Sequence, residues 1–201
     1  DPVVDRTTNG YGDVSGFSLE ELRSLDAGRS FSDRYAGAVV PTLEEVLSEF
    51  GGSFPIDIEI KTGSPPASLA QAVVALVEKF DLVDSVIVSS FDPHMVEQVR
   101  LANPDIPRGL IYCDFKPSGV PWSLDLQLED FAINARCQPH WVMAEKTMVD
   151  AAYINSHRAR GYGIFVWTVN KRSEMERLLK LGVDGLITDR PDILREVLDD
   201  F

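Results

Sequence analysis

Apolar positions are scattered up to about residue 42 and periodic beyond it. In the first stretch, Thr7-Thr8-Asn9-Gly10-Tyr11-Gly12-Asp13 is turn chemistry, with Asn-Gly its strongest element. Ser18 precedes Leu19-Glu20-Glu21-Leu22 in the pattern of a capping box, which predicts one short helix closed by Gly28. Thr42 and Glu45 repeat the pattern and predict a helix to about residue 50. After that the two periods alternate. Residues 55–61 alternate polar and apolar, as a strand does. Residues 67–79 carry Leu69, Val73, Leu76 and Val77 on one helical face. Further strands are predicted at 85–89, 108–112, 131–134, 163–169 and 185–189. Helices are predicted between and after them at 93–101, 124–129, 149–160, 173–181 and 192–198. Pro93 suits a first helical turn, Ser173 with Glu176 reads as a third capping box, and Gly161 and Gly182 read as helix ends.

Six strands alternating with helices, several of them apolar throughout, predict a parallel sheet covered by helices. An open doubly wound sheet is the rival to a barrel. No GxGxxG or GxxxxGK[ST] motif follows a strand, so the nucleotide-binding versions of that rival have no support. A complete (β/α)₈ barrel needs roughly 250 residues. The chain has 201, and the arithmetic predicts an α/β fold of the TIM-barrel type with its first two strands missing. Residues 1–201 then form one partial barrel domain, with 5–42 as an insertion or cap beside the rim.

Composition changes this picture in one respect. The net charge is −13, from 32 acidic and 19 basic residues. Such a surface repels nucleic acid and anionic membranes, so no nucleic-acid partner is expected. No apolar run has the length of a membrane span. A cytoplasmic setting is expected, with a secreted or periplasmic one as the alternative, since the chain starts with Asp1 rather than Met. Cys113 and Cys137 have neither CxxC spacing nor a histidine pair beside them, and read as packed thiols rather than zinc ligands.

Glu59 and Lys61 carry the best local signal for chemistry. Two apart on a strand, they point the same way, while Ile58 and Ile60 point the other. One reading is a solvated polar strand face. The other is a barrel interior near its C-terminal rim, where a carboxylate serves a hard cation and a lysine serves a phosphate. Trp167 and Phe91 both stand at strand ends, and by pattern alone each suits core as well as pocket. Asp189 and Asn170 either face a site or cap local turns. His94, His140 and His157 have no ligand spacing and read as surface or packing residues, with His140 placed near a rim.

Several segments together resemble the glycerophosphodiester phosphodiesterase family. They are Val4-Asp5-Arg6-Thr7-Thr8-Asn9-Gly10-Tyr11-Gly12, Leu25-Asp26-Ala27-Gly28, Pro41-Thr42-Leu43-Glu44-Glu45-Val46-Leu47, Ile58-Glu59-Ile60-Lys61, Ser90-Phe91, Trp167-Thr168-Val169-Asn170 and Gly182-Val183-Asp184-Gly185-Leu186-Ile187-Thr188-Asp189-Arg190-Pro191. Their order and spacing match from end to end. The resemblance implies a phosphodiesterase-like TIM barrel that hydrolyses a small-molecule glycerophosphodiester to glycerol 3-phosphate and an alcohol, in lipid and glycerol metabolism. It implies Mg²⁺ or Ca²⁺ as cofactor with Glu59 as a ligand, Lys61 as a catalytic group facing the phosphate, and Phe91 and Trp167 lining the substrate site. Two family histidines act as acid and base, and the substrate's own hydroxyl attacks phosphorus to give a cyclic intermediate that water opens.

Family members begin with a strand ending in His-Arg-Gly, then Glu-Asn-Thr, Glu-x-Asp and His-Asp. Asp1 matches the aspartate of His-Asp. The resemblance therefore implies that an N-terminal catalytic segment of about 55 residues is absent, and that residues 1–201 alone are inactive. Alternatives are a non-catalytic barrel remnant used for binding or assembly, or a fragment completed by another chain; an open barrel edge also makes a homo-oligomer an expected partner arrangement.

Overall fold

In the computed structural model, which describes residues 1–61, 66–113 and 134–201, the apolar runs form six strands. They are β1 (Ile56–Glu59), β2 (Val86–Ser90), β3 (Arg108–Tyr112), β4 (Trp141–Glu145), β5 (Gly163–Trp167) and β6 (Gly185–Leu186). The helices are α1 (Leu19–Ser24), α2 (Leu43–Phe50), α3 (Pro66–Lys79), α4 (Pro93–Ala102), α5 (Asn134–Cys137), α6 (Ala151–Arg158), α7 (Arg172–Leu181) and α8 (Pro191–Asp199). By its contacts the chain divides into two units: residues 1–56 with 75–85, and residues 57–74 with 86–201.

The first unit holds the irregular start, including the 5–42 stretch. Both predicted capping boxes are present. Ser18 and Glu21 exchange bonds at the start of α1, and Thr42 and Glu45 do so at the start of α2. Arg23 also donates to both oxygens of Glu45, at 2.8 and 2.7 Å. Together these hold the Glu45 carboxyl well down, to about 2. The predicted end of α1 at Gly28 is not observed, because the helix stops at Ser24. Gly28 serves close packing instead: a Cβ there would stand 1.9 Å from the Tyr35 carbonyl oxygen.

The second unit carries the sheet. Its strands neighbour one another in sequence order, and β2 through β6 pair in parallel. Residues of even number on β4 and β5, namely Val142, Ala144, Ile164 and Val166, turn to the helices. There they pack with Ile154, Met175, Leu178 and Val197 in one apolar cluster. The odd-numbered residues line the other face. On that face Trp141 stands opposite Gly163 and Phe165 beside Gly185, with the Trp141 and Phe165 rings 4.8 Å apart. A Cβ on Gly163 would lie 2.2 Å from the Trp141 ring, and one on Gly185 would lie 1.9 Å from Phe165. The glycines give the rings room to lie over the backbone.

This second face is concave. Phe91 follows β2 and Trp167 ends β5, three strands apart, which on a flat sheet is roughly 14 Å at the usual strand spacing. Their ring centroids are only 5.5 Å apart. The expected TIM barrel lacking two strands is corrected accordingly: the six parallel strands form an open half-barrel. In it β1 and β6 are the outer strands of the sheet order among the described residues. The alternating rhythm counts strands and puts them in order, but closure depends on pairing between the two outer strands, which the rhythm does not encode.

Two local expectations also change. The predicted helix at 124–129 and strand at 131–134 lie outside the described residues, except Asn134, which begins α5. The fourth strand is Trp141–Glu145, which the sequence reading did not place. Ala144 and Glu145 are weak strand formers, and the middle of this strand, Val142 to Ala144, is buried on both faces, so it shows no alternation. The third capping box is not formed. Lys171 occupies the N-cap of α7 without a side-chain bond, which puts Ser173 inside the helix. Gly182 does close α7 in the left-handed conformation, at φ 89°.

Beneath the helix-covered face, Tyr112 of β3 donates to His157 Nε2 at 2.9 Å, while His157 Nδ1 bonds the Tyr153 carbonyl at 2.8 Å. The carbonyl requires Nδ1 to carry the proton, which leaves Nε2 as the acceptor. Burial holds the His157 pKa below its ordinary value, and Arg160 adds to this against the opposing Tyr153 bond. A depressed histidine stabilises the fold fully above the unfolded pKa, roughly 6.5, and this contribution is lost as pH falls toward the folded value. Unfolding free energy is therefore expected to drop on going from pH 7.5 to 5.5, by at most about 1.4 kcal/mol per pH unit for this proton. In urea titrations at the two pH values, His157→Gln should flatten the dependence. An equally steep dependence in the variant would remove His157 as its source.

Candidate active site

The C-terminal strand ends of the half-barrel carry Glu59, Lys61, Phe91, Trp167, Asn170 and Asp189 among the residues singled out from sequence. On β1 the alternation holds: Ile58 and Ile60 are buried, while Asp57, Glu59 and Lys61 are on the other side. Lys61 Nζ bonds Glu59 Oε1 at 2.7 Å, and both side chains keep partial exposure, 45% and 32%. An ammonium has three donors, so this contact leaves others for a ligand.

Strand β1 is fastened to β2 on both of its faces. Ile60 N–H donates to the Ser89 carbonyl at 2.8 Å. The Ser90 hydroxyl donates to the Ile60 carbonyl at 2.7 Å, and the Ser89 hydroxyl donates to Asp57 at 2.8 Å. The sequence reading did not name Asp57, although it precedes Glu59 by two and so shares its face. Asp57 is exposed as a residue, but its carboxyl end rests on the fully buried Ser89. Burial pushes its pKa up, against the Ser89 bond and with the help of Glu59.

Phe91 and Trp167 meet edge to face, with 82° between their planes. The indole is fixed by its Nε1–H, which donates to the Met143 carbonyl at 3.0 Å. Glu145, the last residue of β4, lies in register with Trp167 on the same face. Its carboxylate accepts the Thr147 N–H at 3.1 Å and the Thr147 hydroxyl. Glu145 was also missed, because its strand was missed.

Asn170 and Asp189 form a mutual clasp. Asn170 Nδ2 donates to Asp189 at 2.8 Å, and the Asp189 N–H donates to Asn170 Oδ1 at 2.9 Å. Their amide and carboxylate thus tie the ends of two neighbouring strands. His140 immediately precedes β4 and sits at the opposite, N-terminal end of the sheet, with Nδ1 accepting the Arg108 N–H at 3.1 Å. The expected placement of His140 near the rim came from the misplaced fourth strand. His157 is buried under the sheet, and His94 lies in the first turn of α4, 3.8 Å from Glu97.

Glu59 offers a hard oxygen of the kind Mg²⁺ or Ca²⁺ takes. Among the described residues no group of three or more His, Cys, Asp or Glu side chains is disposed to hold a metal ion. One glutamate alone does not supply the six or more oxygens such a cation needs. Among the same residues, no helix is long and apolar enough to cross a membrane.

The model of the glycerophosphoryl diester phosphodiesterase family matches residues 1–193. A glycerophosphodiester phosphodiesterase of Caldanaerobacter subterraneus subsp. tengcongensis is 35% identical over 197 residues, covering 96% of this chain and 76% of that protein. The crystal structure of glycerophosphodiester phosphodiesterase from Agrobacterium tumefaciens superposes with a TM-score of 0.75 at 28% identity, covering 96% of this chain and 78% of that one. An Oleispira antarctica phosphodiesterase, solved in complex with its product sn-glycerol-3-phosphate, shares the fold with a TM-score of 0.81 at 24% identity, over 99% of this chain and 77% of that one. The expectation of a member whose N-terminal catalytic segment is absent gives way to a different finding: a single family domain occupies nearly the whole chain. From the match over residues 1–193 and the identity to its relatives, the chain belongs to the glycerophosphoryl diester phosphodiesterase family.

Proposed function

We infer that this chain hydrolyses glycerophosphodiesters to glycerol 3-phosphate and an alcohol, as a phosphoric diester hydrolase of its family. The family match over residues 1–193 carries this reading. In the reaction the P–O bond to the alcohol breaks, the hydroxyl of water bonds to phosphorus, and the remaining proton of water goes to the leaving alcohol oxygen. Lys61 faces the non-bridging phosphate oxygens and offsets the charge that grows on them, locally opposing the repulsion of a −13 protein. Glu59 holds Lys61 through the 2.7 Å contact. Phe91 and Trp167 form an apolar wall against the carbon skeleton of the substrate and keep water from that side.

A divalent cation, Mg²⁺ or Ca²⁺, belongs to this reading as a proposal. Glu59 would give it one oxygen, and its chemistry would be charge neutralisation at the phosphate. A cytoplasmic setting and self-association through an outer strand are also proposals, the second read by light scattering of the purified chain.

The test is glycerol 3-phosphate release from glycerophosphocholine by residues 1–201, with Mg²⁺, with Ca²⁺ and with chelator. Turnover supports the reading, and a folded chain without turnover on any glycerophosphodiester overturns it. Glu59→Gln keeps size and removes charge. It is expected to lower kcat/KM about 10–100-fold and to weaken cation binding in calorimetry. Unchanged binding would remove Glu59 from the cation's ligands.

A further inference from the structure

We propose that Glu145, beside Trp167, selects glycerophosphodiesters whose alcohol carries a quaternary ammonium over those with a neutral alcohol. The proposal rests on the reading of the chain as a glycerophosphodiester hydrolase and names the substrate class of that same site.

Three observations point to it. First, Glu145 and Trp167 are register partners at the C-terminal ends of adjacent parallel strands, on the concave face. Adjacent strands stand roughly 4.8 Å apart, so the carboxylate and the indole border the same space. Second, both groups are held. The indole N–H is fixed on the Met143 carbonyl at 3.0 Å, and the Glu145 carboxylate is anchored by Thr147 through its N–H at 3.1 Å and its hydroxyl. Neither anchor is a cation, so among the bonds formed by Glu145 its negative charge is not cancelled. Third, Phe91 meets Trp167 edge to face at 5.5 Å and 82°, so a second aromatic ring stands at a right angle to the indole that is the register partner of Glu145.

Perpendicular aromatic faces with a nearby carboxylate are the elements by which proteins hold quaternary ammonium ions. Such a cation is poorly suited to hydrogen bonding, so ring quadrupoles and an unneutralised carboxylate favour it where a neutral alcohol would leave Glu145 desolvated without return. Lys61 supplies the opposite pole on β1. The inner face therefore offers a cation for the phosphate and an anion with aromatics for the ammonium. A zwitterionic diester such as glycerophosphocholine matches that order, whereas glycerophosphoglycerol has no group for Glu145.

The experiment compares kcat/KM for glycerophosphocholine and glycerophosphoglycerol in the wild type, Glu145→Gln and Trp167→Leu. The wild type should prefer glycerophosphocholine. Glu145→Gln should reduce that preference about tenfold, chiefly through KM for the choline diester, with glycerophosphoglycerol changed little. Wild-type turnover without that preference, or a ratio unmoved by Glu145→Gln, overturns the proposal while leaving hydrolysis itself intact. If no diester is turned over, the function reading fails. The rim is then read by tryptophan fluorescence, with tetramethylammonium as probe and tert-butanol as neutral control. Quenching by the cation alone, lost in Glu145→Gln, supports the rim assignment. Equal or absent response to the two overturns it.

Discussion

Replacing Lys61 with Met is expected to lower kcat/KM for glycerophosphodiester hydrolysis by about 100–1,000-fold, the loss typical of removing one charge-stabilising donor at a reacting oxygen. Methionine keeps the unbranched stem and removes only the ammonium. The residue lies just past β1, and its side chain is 45% exposed, so the fold loses little when the charge goes. Its ion pair with Glu59 is a partly exposed one, a class worth about 0–1 kcal/mol to stability. Thermal unfolding should therefore shift by a few degrees at most while activity collapses. The effect should fall on kcat as well as KM, because charge grows on the phosphate oxygens toward the transition state. Lys61→Arg is the control. It keeps the charge but changes its shape, and should recover part of the rate. A Lys61→Met variant within threefold of the wild type would take Lys61 out of the chemistry.

The second large effect concerns stability. Gly185→Val is expected to destabilise the protein by about 3 kcal/mol, at the upper end for forcing extra volume into a packed site. At roughly 200 residues this lowers Tm by roughly 6–12 °C. The cause is local: a Cβ at position 185 would stand 1.9 Å from one carbon of the Phe165 ring and 2.0 Å from another. Phe165 cannot step aside freely, since it packs on Trp141 at 4.8 Å, and Trp141 in turn lies over Gly163. A displaced Phe165 moves the layer directly below Trp167, which is two residues on along the same strand. Activity should fall along with stability. Gly185→Ala should show the same direction at smaller size. Calorimetric melting gives the reading, and a Tm unchanged for Gly185→Val would mean that the ring layer is not held as tightly as its contacts imply.

The legible parts of the chain were those governed by short-range physics. Capping boxes at Ser18 and Thr42 need residues only three apart, and both formed. The box at Ser173 had the same letters and did not form, because the helix began two residues earlier than a Ser173 cap requires, at Arg172. The alternation around Glu59 and Lys61 settled which way they point, since the side-chain period of a strand is two. Trp141–Glu145 escaped notice because both of its faces pack, which erases the alternation. Asp57 and Glu145 were overlooked for related reasons. A carboxylate on a strand looks like a solvated face until the neighbouring strand shows what lies against it, Ser89 in one case and Trp167 in the other.

By itself the sequence determined the alternation of strands and helices, the facing of Glu59 with Lys61, and, through motifs spread from Asp5 to Pro191, the family. Only the tertiary structure decided that the six strands form an open half-barrel, and that Phe91 and Trp167, three strands apart, come within 5.5 Å. The same holds for the placing of His140 at the far end of the sheet. The physical reason is common to all three. Hydrophobic period and capping are set by residues within one or two turns of each other, whereas sheet curvature and closure arise from pairing and packing between segments tens of residues apart, which no local pattern records.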